Sequence, residues 1–159
     1  MFELLELLEK DSRISVKEIA VRLGKSEDEI EKQIKKCEED GVIAGYTTMI
    51  NWDKTANEKV TALIEVKITP QLLEGFDKAA ERIYKFPEVT GCYLMSGGFD
   101  LTVIIEGKTL KEVAMFVSRK LAPLEAVLST STHFVLKKYK DHGQIFNNKE
   151  TDEREAIFL

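Results

Sequence analysis

The stretch VTALIEVKITP, residues 60–70, alternates without a break: Val60, Ala62, Ile64, Val66 and Ile68 fall on one side and Thr61, Leu63, Glu65 and Lys67 on the other. A period of two describes a strand with one buried face, and Pro70, which lacks a backbone N–H, ends it. Toward the C-terminus the period changes to that of a helix over about Leu72 to Tyr84. Its inward residues are Phe76, Ala79, Ala80 and Ile83, and it stops at Phe86-Pro87. Two further strands are predicted, roughly Val89 to Ser96 and Phe99 to Glu106, joined by the tight Gly97-Gly98 pair. A second helix begins with Thr109 as cap and Glu112 at the capping-box position. It runs through Val113, Phe116 and Val117 to Leu121, before Pro123. The β-branched run AVLSTSTHFVLKKYK, residues 126–140, closes the pattern as a long strand. The order βαββαβ predicts an α+β, ferredoxin-like domain with two helices on one face of an antiparallel sheet. The other face would carry Leu63, Cys92, Leu94 and Ile104. That set is too apolar for open water, so sheet-to-sheet dimerisation is expected.

Upstream of residue 60 the pattern is helical. Leu4, Leu5 and Leu8 recur at helical spacing before a break at KDSR. Ser15 and Glu18 form a capping-box pattern for a helix over Val16 to Leu23, ended by Gly24. Ser26 and Glu29 repeat it for a third helix whose inward stripe is Ile30, Ile34 and Cys37. Three helices in about fifty residues, with a short turn between the last two, describe a helix-turn-helix domain. VIAGYTTMINWDK, from Val42, reads as a strand or wing leaving it, and NWDKTANEK, residues 51–59, as a polar linker. The predicted organisation is therefore a winged or three-helix domain over 1–50, a linker over 51–59, a ferredoxin-like domain over 60–140 and a C-terminal tail over 141–159.

Charge is distributed unevenly. Residues 1–53 hold 8 Lys and Arg against 13 Asp and Glu, the remainder 15 of each, so the whole net charge of −5 lies in the helical segment. Phosphate neutralisation calls for basic surface, so strong non-specific binding to nucleic acid is not expected. Between Ser26 and Asp40 seven carboxylates face three lysines. Glu27, Asp28 and Glu29 belong to the helix start, where the dipole favours negative charge. Asp28 and Lys32, and Glu31 and Lys35, stand four apart and are expected to pair. The outward face would then be either a solvated, self-paired surface or a reading surface in which Lys32, Lys35 and Lys36 take phosphates or guanine edges.

Other classes find little support. Cys37 and Cys92 form no CxxC and read as reduced core thiols; with only His133 and His142 to join them, no metal site and no cofactor are expected. MFELLELLEK is too short and too acidic for a signal peptide or anchor, so a cytoplasmic protein without membrane association is expected. No nucleophile elbow or phosphate loop appears, and no enzyme is expected. The Gly97-Gly98 corner leaves backbone N–H groups open to a carboxylate, with Asp100 beside it for an ammonium group. Equally, it is a plain turn in which Asp100 bonds its own backbone.

A helix-turn-helix ending in EEDGVIAGYTTMIN, followed by βαββαβ with FPEV, a SGGFD hairpin and a closing VLSTSTHFVLKKYK, resembles the Lrp/AsnC family of transcription regulators over about residues 3 to 140. The resemblance implies a regulator that binds double-stranded DNA and responds to a small amino-acid-like effector, paired as a homodimer and assembled as an octamer. On the helix face read above, DNA contacts are expected from Lys32, Gln33, Lys35 and Lys36 on the third helix, with Arg22 and Lys25 near the turn as backbone clamps. The resemblance also implies an effector site of Gly97, Gly98 and Asp100, approached by Thr130 and Thr132 of a neighbouring subunit. Among the departures from the family pattern, two touch these sites. Glu31, Lys32 and Gln33 stand where a small polar residue and arginines are common, and Gly98-Phe99 stands where an acid or amide and a tyrosine are common. Two alternative readings remain: an effector-binding partner protein with little DNA affinity, and a haem-pathway decarboxylase-like enzyme, for which only two histidines are at hand.

Overall fold

A computed structural model of the chain describes residues 1–57, 59–69 and 75–146 and divides it into two compact units, the first Met1–Ile50 and the second starting at Asn51. In the first unit α1 (Phe2–Lys10), α2 (Val16–Leu23) and α3 (Glu27–Glu39) surround a core of Leu4, Ile19, Ala20 and Ile30, with Leu7, Leu8, Ile14, Val16, Leu23 and Ile34 packed against it. Ser15 Oγ accepts the Glu18 N–H. Gly24 closes α2 in the left-handed region at φ 63°, a conformation that costs glycine nothing. At α3 both halves of the capping box form: Ser26 Oγ accepts the Glu29 N–H, and the Glu29 carboxylate accepts the Ser26 N–H.

The expected strand after Gly41 is absent, since residues 42–50 have no regular structure. β-branched composition favours a strand only where a second strand takes up its backbone groups, and none is present in this unit. The segment is fixed to α3 instead: the Ile43 N–H donates to the Cys37 carbonyl and the Tyr46 hydroxyl to Glu38 Oε1, at 2.9 Å.

The second unit is built on β1 (Val60–Ile68), the central strand, with β3 (Leu101–Gly107) and β4 (Val127–Phe134) antiparallel on either side; β2 (Val89–Leu94) pairs with β3, giving the order β2-β3-β1-β4. That order is the ferredoxin-like arrangement. Helices α4 (Asp77–Tyr84) and α5 (Leu110–Phe116) supply Ile83, Val113 and Phe116 to a core whose sheet side is Ala62, Ile64, Val66, Ile68, Leu101, Val103 and Ile105. Burying such side chains contributes roughly 1.5–3 kcal/mol each before the entropy of ordering is subtracted. The part of the predicted helix before Gly75, and Pro70, lie outside the described residues. A short hairpin, β5 (Lys140–Asp141) and β6 (Gln144–Ile145), follows β4 where only a tail was expected; the residues from 147 on lie outside the described ones.

One assignment of faces is corrected. Val89 stands opposite Ile105, but Gly91 stands opposite Ile104, so β2 carries one extra residue at Thr90. A single inserted residue turns every following side chain over. Cys92 and Leu94 consequently share the helix-covered face with Val103 and Leu101, and Cys92 packs against the core. Tyr93 takes their place on the open face beside Leu63 and Ile104.

Candidate DNA-reading helix and ligand sites

The capping box fixes where α3 begins, and Ile30 and Cys37, both buried, fix which way it faces. Lys32, Lys35 and Lys36 are accordingly exposed. The expected pairs Asp28–Lys32 and Glu31–Lys35 do not form. Lys35 Nζ lies 3.7 Å from Glu39 Oε1 instead, with side chains 75% and 65% exposed. Exposed pairs of this kind differ by only a few tenths of a kcal/mol, so side-chain rotamers decide among them. Such a pair is also readily exchanged for a phosphate.

The remaining predicted contacts are committed to neighbours. Arg22 donates to Glu18 Oε1 at 2.6 Å, and Lys25 Nζ lies 3.4 Å from Gln33 Oε1. The acidity of α3 resolves in part into structure. Hydrogen bonds from the Ser26 backbone and side chain hold the Glu29 carboxyl below the ordinary carboxylate range. Glu38 accepts the Tyr46 hydroxyl, which is the first cause of that phenol's raised pKa.

In the second unit the β2–β3 connection spans residues 95–100. The Met95 N–H donates to the Asp100 carbonyl (2.8 Å) and the Asp100 N–H to the Val66 carbonyl (3.0 Å). Gly97 takes φ 135°, and the space around both Gly97 and Gly98 is open. The Asp100 carboxylate follows neither sequence reading completely. Its Oδ2 accepts the N–H of Ile68, at 2.9 Å, and so ties the hairpin to the end of β1 rather than to its own turn. Its other oxygen has no such bond among the described residues. Thr130 and Thr132 stand opposite Val66 and Ile64 on the helix-covered side of edge strand β4, half-buried, with β1 between them and the hairpin.

Two features escaped the sequence reading. On the open face His133 Nε2 lies 3.4 Å from Glu65 Oε1 and 3.3 Å from Ser131 Oγ. Both partners address the same ring nitrogen. A nucleophile–base–acid relay needs opposite nitrogens, so the group is not a hydrolytic triad. The other feature is a cleft of about 300 Å³ where the end of β3 meets α5, lined by Ile105, Val113, Met115, Phe116, Arg119 and the acids Glu88, Glu106 and Glu112 among others. Residues distant in sequence meet there, and no local pattern announces it. The described residues contain no helix long and apolar enough to cross a membrane and no group of three or more potential metal-ligating side chains.

Comparison with known proteins agrees with this two-part layout. Residues 1–44 match a winged helix-turn-helix DNA-binding model, and residues 61–145 match the Lrp/AsnC ligand binding domain. The chain is 48% identical over 156 residues to the HTH-type transcriptional regulator YugG of Bacillus subtilis, covering 98% of this chain and 94% of that protein. It is 34% identical over 137 residues to the HTH-type transcriptional regulator LrpA of Pyrococcus horikoshii, covering 86% and 94%. Its fold is shared with the transcriptional regulator NMB0573 of Neisseria meningitidis, solved as a complex with L-methionine, at TM-score 0.69 and 23% identity over 87% and 88% of the two chains. A capped helix-turn-helix ahead of a ferredoxin-like sheet, matched over nearly its whole length by such regulators, places this chain in the Lrp/AsnC family of DNA-binding transcriptional regulators.

Proposed function

We propose that the protein is a sequence-selective DNA-binding regulator whose second unit responds to a small amino-acid-like effector. The observation that carries the reading is α3: a helix with both cap bonds made, its apolar stripe buried, and Lys32, Lys35 and Lys36 turned to solvent with only a weak competitor at Glu39. These lysines take phosphates and base edges, Gln33 reads beside them, and Arg22 and Lys25 hold the backbone near the turn. The effector site is the hairpin, where the open Gly97-Gly98 backbone receives a carboxylate and the free oxygen of Asp100 an ammonium group, with Thr130 and Thr132 of a neighbouring subunit alongside. The L-methionine bound to NMB0573 supports that ligand class.

The protein is proposed to act as a homodimer or a larger, octameric assembly. Leu63, Tyr93 and Ile104 on the open sheet face are the apolar surface that pairing covers. A mobility-shift experiment on the DNA upstream of the protein's own coding sequence, with and without a panel of amino acids, tests the whole reading. Sequence-selective shifts altered by one amino acid class are expected. Complete absence of selective binding at low salt would favour the partner-protein reading, which the acidic surplus of the first unit recommends.

A further inference from the structure

We propose that the cleft between the end of β3 and α5 is a second ligand site, internal to one protomer, that takes a small monocarboxylate with a branched aliphatic or aromatic tail. Its floor is apolar: Ile105, Val113 and Phe116 are buried and Met115 is half-buried. Its volume of about 300 Å³ matches the lower end of small-molecule sites.

The rim decides the charge of the ligand. Each lining carboxylate has one oxygen held by a donor from the chain, Glu88 Oε1 by Lys120, Glu106 Oε2 by Lys59 at 2.9 Å and Glu112 Oε2 by the Lys108 N–H at 2.7 Å, while Glu88 Oε2 is buried without a partner among the described residues. Lys120 is doubly engaged, its ammonium also standing over the Phe86 and Phe116 rings. Arg119 is the ionised lining side chain that makes no hydrogen bond or ion pair among the described residues. A guanidinium is weakly hydrated and matches a carboxylate with two parallel N–H donors, so above an apolar floor it selects an amphipathic anion. The backbone around it is unusual as well. Residues Val117–Leu121 continue α5 as a widened turn in which the Ala122 N–H donates five residues back to the Val117 carbonyl, at 2.8 Å, and such turns recur at functional sites.

The cleft adjoins the segment that leads into the sheet. Lys59, which holds Glu106 at the rim, lies 4.4 Å from the ring centre of Trp52, the sole tryptophan of the chain. A ligand that shifts Glu106 therefore shifts the cation over Trp52. The hairpin lies at the other end of β3, roughly 20 Å away for a strand of this length, so the two sites are separable.

The test uses the full-length protein and 4-methylpentanoate as probe, followed by titration calorimetry and by Trp52 fluorescence. Millimolar or tighter binding with a fluorescence change is expected for the wild type and for Asp100→Asn. Arg119→Gln, an exposed substitution that spares the core, is expected to weaken it by about tenfold or more, and Arg119→Lys by less. The corresponding amine, 3-methylbutylamine, is expected not to bind. No heat with the wild type, equal affinity in Arg119→Gln, loss in Asp100→Asn, or preference for the amine would each overturn the proposal.

Discussion

Asp100→Ala is expected to destabilise the second unit by about 2 kcal/mol, because the Ile68 N–H then loses its acceptor. The bond is 2.9 Å long and partly buried, at the end of the central strand where the ladder to β4 shifts register between Lys67 and Ile68. A bond to a charged acceptor contributes roughly 1.5–3 kcal/mol, and a stranded donor costs about 1–3 kcal/mol. In a unit of this size 1 kcal/mol moves the melting temperature by roughly 4–8 °C, so a fall near 10 °C is expected. Asp100→Asn keeps a carbonyl oxygen in place and should lose about half as much. Thermal unfolding followed by circular dichroism measures both, and amino-acid titration of the same samples separates the two roles of the residue. The effector reading requires Asp100→Asn to weaken ligand binding by about ten- to a hundredfold while the fold survives. An Asp100→Ala melting curve superimposable on the wild type would refute the structural argument, and unchanged ligand affinity in Asp100→Asn would remove the residue from the effector site.

Ser26→Ala removes the acceptor for the Glu29 N–H and should cost the helical unit about 1 kcal/mol, read as a lower midpoint in urea with an unchanged slope. Because the folded Glu29 carboxyl is held low by Ser26, its contribution is present above the ordinary carboxylate range and is lost as pH falls through the folded value; Glu29→Gln should flatten the acid limb of a stability profile taken from neutrality to about pH 3. Ile64→Ala, at a fully buried central position, should cost about 2–5 kcal/mol in the same denaturation assay, against under 1 kcal/mol for Ser131→Ala on the open face. Gly98→Asp should leave folding intact, since Gly98 lacks a positive φ and its surroundings are open, and should change which amino acid gives heat in calorimetry.

What the sequence disclosed depended on whether the cause was local. The caps at Ser15, Ser26 and Thr109 were legible because a side chain three residues from its N–H partner needs no other part of the fold. The Thr109 box forms only in half, for Glu112 reaches the N–H of Lys108 instead of that of Thr109. The strict alternation of β1 was legible for the same reason and carried the ferredoxin-like order with it. Cys92 and Leu94 were placed on the wrong face because one extra residue at Thr90 is set by pairing with β3, which the alternation within β2 does not reveal. Residues 42–50 have the composition of a strand but no strand to pair with. Of the candidate site residues, Lys32, Lys35 and Lys36 are exposed on α3 as the helical wheel requires, whereas the bond of Asp100 to Ile68 joins residues 32 apart and depends on the pairing of β1 with β3. The cleft at Arg119 unites the end of β3 with α5 and is purely tertiary.

The central claim, that exposed lysines of α3 bind DNA despite an acidic unit, is tested most directly by the salt dependence of binding. Anisotropy of labelled upstream DNA, measured across salt concentrations for the wild type and for the combined Lys32→Gln, Lys35→Gln, Lys36→Gln variant, gives the number of phosphates neutralised. The wild type should show a shallow slope, on the order of two to four phosphates per helical unit, and the variant a clearly smaller one, kept by Arg22 and Lys25, with selective affinity lost. Equal slopes and equal affinities in the two proteins would contradict the account.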